Sequence, residues 1–221
     1  MLGQAVIPLT LTLKVAGFAT VLALAGGAAI GFLLARFSFW GRDFLDAVCT
    51  LPMVMPPTVL GYYLIVVIGR RGWIGEWFWE TFGISLMFTW QGAVLASAVV
   101  AFPLVAKSAR AAFEGVDRQL ENAARTLGAS ELRILVRVTL PLAWRGILAG
   151  TMLAFARAMG EFGATLMVAG NIPGRTQTLS LAVYDAVQAG QDDLANFLVI
   201  ITSAVCVLIL VASGKLLKPR H

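Results

Sequence analysis

Apolar residues in this chain occur in long runs, not in the alternating or one-faced patterns typical of soluble domains. A helix needs about 20 apolar residues to cross a hydrocarbon core roughly 30 Å thick. Four windows meet this length without a charged residue, at 15–35, 47–68, 84–106 and 194–214. A fifth, at 147–169, has the length but contains Arg157 and Glu161. The pattern predicts an all-α integral membrane protein with about five transmembrane helices, in one domain over 1–221.

Two groups of prolines interrupt the apolar pattern. Pro8 precedes the first window, so residues 4–13 are expected to form a short interfacial helix separate from the first span. Pro52, Pro56 and Pro57 cluster near the start of the second window. An unsatisfied backbone group costs several kcal/mol in lipid, so the backbone freed there is expected to be buried in protein or to line a polar pathway. A kink that serves packing alone is the alternative.

Lysine and arginine are distributed unequally between the two sides of the predicted spans. One side carries Arg70, Arg71 and Arg175, and Lys14 and Arg157 lie at or within spans. The other side carries twelve: Arg36, Arg42, Lys107, Arg110, Arg118, Arg125, Arg133, Arg137, Arg145, Lys215, Lys218 and Arg220. The side richer in these residues is normally cytoplasmic. The bias predicts a cytoplasmic C-terminus and an external N-terminus.

Composition and the side-chain inventory restrict the chemistry. The chain is 59% hydrophobic and 13% charged, whereas soluble domains carry about 25% charged residues. The formal net charge of +5 follows from the loop bias, so nucleic acid is not an expected partner. The sequence holds no G-x-x-x-x-G-K-[ST] loop for ATP, and its one histidine, His221, excludes a His-based triad or zinc site. We therefore expect no enzyme, no metal and no cofactor in this chain.

Residues 114–145 form a charged insert between the third and fourth apolar windows. Asp117 is a suitable N-cap for a helix. The apolar residues that follow lie on one helical face: Leu120, Ala123, Ala124 and Leu127. Glu121 and Arg125 stand four positions apart, which favours an ion pair on another face. Gly128 suits the left-handed residue that ends a helix.

A second amphipathic helix is expected directly after this glycine. Ser130 can cap it, Glu131 favours its positive end, and Pro141 is expected to end it. Basic amphipathic hairpins of this kind often lie on lipid headgroups, which is the simplest explanation of the pattern. Docking against another protein is the alternative.

The order of residues in the insert adds a specific resemblance. Glu121-Asn122-Ala123-Ala124, then Gly128, then Leu140-Pro141, resembles the EAA loop of type I ABC importer permeases, with Asn122 where alanine is usual. The resemblance implies that fold, with short cytoplasmic coupling helices around 123–130 that dock into an ATPase subunit. It assigns this contact to eight residues, of which Glu121, Arg125 and Arg133 would be polar anchors. The full set is Glu121, Ala123, Ala124, Arg125, Leu127, Gly128, Arg133 and Pro141.

Two further stretches extend the resemblance over most of the chain. Residues 51–75 and 155–184, with FARAMGEFGATL before NIPGRTQT, resemble permeases of molybdate ABC importers. This implies a homodimer in a bacterial inner membrane that passes molybdate, with tungstate, sulfate and thiosulfate as alternative anions. It also implies two ATPase subunits and an extracytoplasmic molybdate-binding protein, which would meet the external loop through Asn171, Arg175 and Asp185. A secondary transporter driven by an ion gradient is the alternative of a different class.

Arg157 and Glu161 are the only charges deep inside a predicted span. Each costs roughly 2.5–3.5 kcal/mol at the membrane centre, and pairing four positions apart removes most of that cost. The pair is expected to fasten its helix into the bundle. Alternatively, Arg157 gives a positive potential to an anion pathway that also contains Pro56 and Pro57.

Overall fold

The computed structural model describes the backbone of residues 2–217, and the side chains in that range apart from 2, 212, 213 and 215–217. Within these residues the chain folds into eleven α-helices and one π-helical segment, with no β-strand. Lys218, Arg220 and His221, which entered the predictions above, lie outside the described residues, as does the side chain of Lys215.

The helices follow one another along the chain with short connections. The N-terminal part consists of α1 (Leu2–Arg36), α2 (Arg42–Val54), α3 (Pro57–Ile68), α4 (Trp73–Phe82) and α5 (Trp90–Glu114). The insert contains α6 (Arg118–Thr126) and α7 (Glu131–Ile134), and the π-helical segment (Leu135–Thr139) joins α7 to α8 (Leu140–Met159). The C-terminal part consists of α9 (Gly163–Ala169), α10 (Leu179–Gln188) and α11 (Asp192–Leu217).

Several helices in the described range are long and apolar enough to cross a membrane. There are four such stretches, and five crossings if the bent pair α2–α3 counts as one span. The four are Gly3–Arg36, Trp90–Glu114, Glu131–Met159 and Asp192–Val211. This confirms the prediction of an all-α protein with about five spans. The windows at 15–35 and 194–214 lie within α1 and α11.

The first helix is longer than the apolar window predicts. Residues 4–13 belong to α1 and do not form a separate interfacial helix, although Pro8 removes one backbone hydrogen bond. Ala5 is buried in a cluster with residues of α10 and α11. Thr12 Oγ1 accepts a hydrogen bond from the backbone N–H of Leu179 at 2.8 Å. Tertiary packing on both sides of the proline therefore keeps the helix continuous.

The second span is broken where the prolines lie. α2 ends at Val54, Met55 and Pro56 have extended backbone with ψ of 143° and 135°, and α3 begins at Pro57. A residue before proline is pushed out of the helical region, which accounts for the extended pair. The two helices are bent by 116° relative to each other. The window at 47–68 is therefore a broken span and not one helix.

The third and fourth spans have different limits from those predicted. α5 begins at Trp90 and not at 84, because Thr89 caps it by accepting a hydrogen bond from the backbone N–H of Gly92 at 3.2 Å. The window at 147–169 is divided between α8 and α9 by a break at 160–162. The short helix α4 was not predicted.

Pro141 does not end the second helix of the insert, contrary to the prediction. The helix runs on from Glu131 to Met159. Directly before the proline, in the π-helical segment, the backbone N–H of Leu140 donates to the carbonyl of Leu135, five residues earlier. This wider turn accommodates a residue that lacks a backbone donor. Such π-bulges occur inside α-helices, frequently at functional sites.

Small residues let α1 and α8 pack closely against α5, which is the most buried of the long helices. Pairs of glycines four positions apart lie at these contacts: Gly27 with Gly31 and Gly146 with Gly150. A Cβ added at Gly31 would lie 2.8 Å from the backbone nitrogen of Arg110 on α5. One added at Gly146 would lie 2.6 Å from Cβ of Ala112.

The two ends of the bundle are distinguished by their connections. We call the end at which α1 and α5 finish the insert end, and the opposite end, which carries α4 and α10, the far end. At the insert end, Lys107 Nζ and Arg110 Nη1 lie 2.7 and 3.0 Å from Asp46 Oδ2. Arg110 Nε and Arg42 Nη2 lie 2.9 and 3.1 Å from Glu114 Oε1. These ion pairs tie α2 to the end of α5.

The contact of Gly31 with α5 can be tested by adding one methyl group. Gly31→Ala places Cβ against main-chain atoms of α5, and overpacking of this kind costs about 1–3 kcal/mol. We expect a lower midpoint of thermal unfolding in detergent. Gly17→Ala on the same helix is the control, because nothing lies within 4 Å of a Cβ added there. Equal midpoints for the two variants would contradict the close packing.

Candidate functional site

The insert folds as two helices joined at a glycine, as its sequence predicts. Asp117 caps α6 by accepting a hydrogen bond from a backbone N–H at 2.8 Å. Gly128 has a φ of +79°, and the backbone N–H of Ala129 donates to the carbonyl of Ala124 at 3.1 Å. Ser130 occupies the N-cap position of α7, but its side chain makes no capping hydrogen bond. The left-handed glycine therefore sets the angle between α6 and α7.

Glu121 faces the interior of the protein. The residue is 5% exposed, and its Oε1 lies 2.6 Å from Arg36 Nη2 at the end of α1. Thr139 Oγ1, in the π-helical segment, donates to the same oxygen at 2.6 Å. One carboxylate thus joins α6 to α1 and to the helix that continues as α8. This burial does not fit the predicted role of Glu121 as a polar anchor for a partner. Glu121 forms its ion pair with Arg36 and not, as its spacing predicts, with Arg125.

Arg125 instead closes the corner between α6 and α7. Its Nε and Nη2 donate to Glu131 Oε1 and Oε2 at 2.6 and 2.9 Å, and its Nη1 donates to Asn122 Oδ1 at 2.7 Å. The hydrogen bond to Glu131 raises the pKa of Arg125 above its ordinary value, and Coulomb attraction to that carboxylate adds to the effect. Both side chains are exposed, so this pair fixes geometry more than it adds stability.

The outer surface of the insert is rich in apolar side chains. Between residues 118 and 139, four large ones are exposed: Leu120 (50%), Leu127 (87%), Leu132 (72%) and Val136 (54%). Ala123, Arg133 and Pro141 are also exposed, and Ala124 is half-buried. Apolar side chains exposed this densely mark a surface that meets another protein or a membrane. Apart from Glu121, the predicted coupling residues are therefore available for contact.

Arg157 and Glu161 form the ion pair that their spacing predicts. Arg157 Nη1 lies 2.7 Å from Glu161 Oε2, and the Glu161 side chain is 1% exposed. Glu161 lies in the break between α8 and α9, outside both helices. Its Oε1 accepts a hydrogen bond from the backbone N–H of Ala164 at 2.9 Å. The carboxylate thus balances the arginine and also satisfies a backbone donor at the start of α9.

The two broken spans meet at their breaks. A Cβ added at Gly163, the first residue of α9, would lie 2.7 Å from Cβ of Pro57, the first residue of α3. Only a glycine permits this approach. Pro56 and Pro57, both exposed, therefore lie beside the break that holds Glu161. Irregular backbone at membrane depth is tolerated where it is buried in protein or lines a cavity.

The far end carries the residues predicted for contact with a binding protein. A turn at 172–177 is held by Thr176, which is fully buried and whose Oγ1 accepts a hydrogen bond from a backbone N–H at 3.0 Å. Arg175 is exposed on this turn, and Asn171 is half-buried directly before it. Asp185 on α10 is exposed and lines a cavity of about 400 Å³ that also touches the turn. Asp185 lines this cavity, whereas Asn171 and Arg175 do not.

Two side chains of the insert site were not predicted. Arg36 was counted only as a loop charge and Thr139 had no role, yet both hold Glu121. They lie 85 and 18 positions from it, so no helical spacing could have paired them. Among residues 2–217, no group of three or more His, Cys, Asp or Glu is arranged to hold a metal ion.

These features define a membrane component with about five spans, two of them broken at a common point, and an insert with an exposed apolar surface at one end. Residues 27–221 match the family model described as "Binding-protein-dependent transport system inner membrane component". The chain belongs to this family. It is thus an inner-membrane transport protein that crosses the membrane several times.

Relatives with known names cover most of the chain. The molybdenum transport system permease protein ModB of Escherichia coli (strain K12) is 48% identical over 94% of this chain and 91% of its own. ModB of Haemophilus influenzae is 48% identical over 81% of this chain and 79% of its own. The sulfate transport system permease protein CysW of Synechocystis is 36% identical over 92% of this chain and 73% of its own.

Solved structures share the fold at low sequence identity. The inward-facing MetNI methionine ABC transporter matches with a TM-score of 0.74 and 19% identity, over 98% of this chain and 96% of its own. A bacterial alginate ABC transporter, in complex with an alginate pentasaccharide-bound periplasmic protein, matches with a TM-score of 0.76 and 15% identity, over 96% and 77%. These matches confirm the type I ABC importer permease fold.

The buried role of Glu121 can be tested against an exposed glutamate of the same insert. Glu121→Gln removes the charge that balances Arg36, and breaking a buried ion pair costs about 3–5 kcal/mol. We expect a clearly lower midpoint of thermal unfolding in detergent. Glu131→Gln is the control, because Glu131 pairs with Arg125 at the surface and its loss should leave the midpoint unchanged. If both variants unfold at the temperature of the unsubstituted protein, the carboxylate is not a structural link.

Proposed function

We propose that this chain is the permease subunit of an ABC importer that passes molybdate across a bacterial inner membrane. ATP hydrolysis in separate ATPase subunits, docked on the insert, drives the import. The observation that carries this proposal is the 48% identity to the molybdenum permease of Escherichia coli over 94% of the chain. The sulfate permease CysW is more distant, at 36%. Tungstate, a close chemical analogue, is expected to follow molybdate.

Docking of the ATPase on the insert is supported by its exposed apolar residues and by its shape. Leu127 is 87% exposed at the tip of α6, next to the left-handed Gly128. An apolar side chain this exposed is best stabilised by a partner surface. The sequence has no phosphate-binding loop of its own, so the energy must come from another chain. The permease itself needs no cofactor and catalyses no reaction.

The charge bias supports an orientation with the insert in the cytoplasm. Arg36 and Arg42 border the insert end, and so do Lys107 and Arg110, whereas Arg175 lies on a turn at the far end. Positive charge accumulates on the cytoplasmic side of membrane proteins. The N-terminus is then external and the C-terminus cytoplasmic. The far-end surface around Asn171, Arg175 and Asp185 would meet the extracytoplasmic molybdate-binding protein.

A homodimer is proposed because one chain of about five spans is too small to enclose a gated pathway. Two copies related by a two-fold axis present the same surface to each other. Each copy would bind one ATPase subunit through its own insert. In this arrangement, ATP-driven closure of the two ATPase subunits would move both inserts together.

The hinge of the insert gives a test of ATPase docking. Gly128→Ala forces a non-glycine residue to a φ of +79°, which costs roughly 1–2 kcal/mol, although a Cβ there meets nothing within 4 Å. We expect weaker co-purification with the ATPase subunit of the same transport system, at unchanged membrane insertion. Gly115→Ala is the control, since Gly115 has an ordinary negative φ of −74°. Normal co-purification of the Gly128 variant would contradict docking through this hinge and would indicate that the insert is a surface hairpin.

Reconstitution separates the proposed function from its alternatives. Vesicles that contain this chain, the ATPase subunit, internal ATP and the external binding protein should accumulate molybdate, and omission of any component should stop uptake. Tungstate should compete strongly and sulfate weakly. Equal competition by sulfate would favour the sulfate and thiosulfate permeases. Uptake by this chain alone, driven by an ion gradient and insensitive to ATP, would establish a secondary transporter and overturn the proposal.

A further inference from the structure

A cavity of about 300 Å³ opens beside the break in the second span. Its walls come from α2, α3, α5 and the end of α8: Pro52, Met53, Met55, Pro57, Leu60, Val100, Leu104 and Arg157. On α5 the cavity lies at Val100 and Leu104, roughly 15–20 Å from either end of the helix at 1.5 Å per residue. The cavity is therefore deep in the membrane-spanning part. Its volume is at the lower end of the range of about 300–1,000 Å³ for small-molecule sites.

Arg157 is the one charged residue among those that line this cavity. Its side chain is 39% exposed, whereas that of its partner Glu161 is 1% exposed. The contact with Glu161 uses Nη1, and the described hydrogen bonds include none from the other guanidinium nitrogens. A guanidinium carries five N–H donors in a planar fork, so donors remain for a ligand in the cavity.

This asymmetry favours the pathway role over the fastening role that the sequence also leaves open for the pair. A pair that only fastens a helix gains by burying both partners, because a charge left open at membrane depth is costly. Here the carboxylate is fully enclosed and satisfied, by Arg157 and by the backbone N–H of Ala164, while the guanidinium stays open. The ion pair holds the arginine where it lines the cavity.

We propose that this cavity is a transit site for a tetrahedral oxyanion of charge −2, with Arg157 as the residue that contacts it. The proposal rests on the proposed function and adds the place and chemistry of passage. Arginine matches oxyanions through its planar fork of donors. Glu161 is a positioning residue, which fixes the guanidinium and offsets part of its charge. The remaining walls are apolar, so the anion is held by few hydrogen bonds and is released readily.

Anion occupancy can be measured without transport. Met55 lines the cavity, so a Met55→Cys chain in a background of Cys49→Ser and Cys206→Ser carries a single reporter thiol. Sodium molybdate, tungstate or sulfate should slow alkylation of this thiol by a small reagent, compared with sodium chloride at equal ionic strength. Adding Arg157→Gln should remove the protection. Equal alkylation rates in oxyanion and chloride would overturn the transit site.

Molybdate uptake by the full complex with ATPase and binding protein tests the same site when the charge at residue 157 is changed. Arg157→Gln should lower molybdate uptake by about 10–100-fold, which corresponds to the loss of a hydrogen bond to a charged group. Arg157→Lys should retain part of the uptake. Arg71→Gln, an exposed arginine outside the cavity, should leave uptake within about twofold. Loss of complex assembly in Arg157→Gln, with normal uptake per assembled complex, would assign the pair to fastening and overturn the proposal.

Met53 provides a matched pair that leaves Arg157 in place. Met53 is 60% exposed and lines the cavity. Met53→Glu and Met53→Gln have nearly the same size and differ in charge, so only the first should repel the anion and lower uptake. Equal uptake by the two variants would overturn the transit site. If the unsubstituted complex fails to take up molybdate while oxyanions still protect the thiol at 55, the proposed function fails and the anion site remains.

Discussion

A bilayer offers no water to satisfy a broken backbone or a lone charge, and this constraint shapes the centre of the structure. Two spans are broken, at Met55–Pro56 and at 160–162, and both breaks lie against each other. Glycine at 163 allows the contact with Pro57. Glu161 then serves both demands, because one oxygen accepts a backbone N–H and the other faces Arg157. The breaks therefore stabilise each other as one unit.

The insert is connected to this unit by a single continuous helix. The stretch from Glu131 to Met159 spans 29 residues, or roughly 40 Å at 1.5 Å per residue. The start of this helix carries part of the exposed apolar surface of the insert, and its last turn carries Arg157. Glu121 fixes α6 to this helix through Thr139 and to α1 through Arg36. Glu121 therefore links α6 to two long helices at once, and the π-helical segment lies within one of them.

Local spacing determined which features could be predicted from the sequence. The cap at Asp117, the left-handed Gly128 and the pair of Arg157 with Glu161 all depend on residues within four positions of each other. The spans followed from the lengths of apolar runs. The link between Glu121 and Arg36 crosses 85 positions, and no local rule identifies it.

The wrong boundaries have a common physical cause. The sequence-based boundaries assume that each proline breaks its helix at its intrinsic cost. At Pro8, packing against α10 and α11 outweighs this cost, and before Pro141 a π-turn removes the need for the missing donor. At 160–162 the chain breaks without a proline, because the carboxylate of Glu161 substitutes for the helical acceptor. Tertiary packing decided the case of Pro8, and local hydrogen bonds outside the α-helical pattern decided the other two.

The two ion pairs that involve buried glutamates differ in how far the arginine is enclosed. Around Glu121 both partners are largely enclosed, with side chains 7% and 11% exposed. Around Glu161 only the acid is enclosed, and Arg157 remains 39% exposed. A closed pair suits the transmission of movement, since separating the two charges would leave one of them buried without a partner, which is costly. An open pair suits passage, because the carboxylate offsets part of the attraction that an unpaired arginine would exert on an anion. A site that bound a dianion tightly at this depth would slow its release, and in the proposed transit site the pairing with Glu161 would weaken that binding.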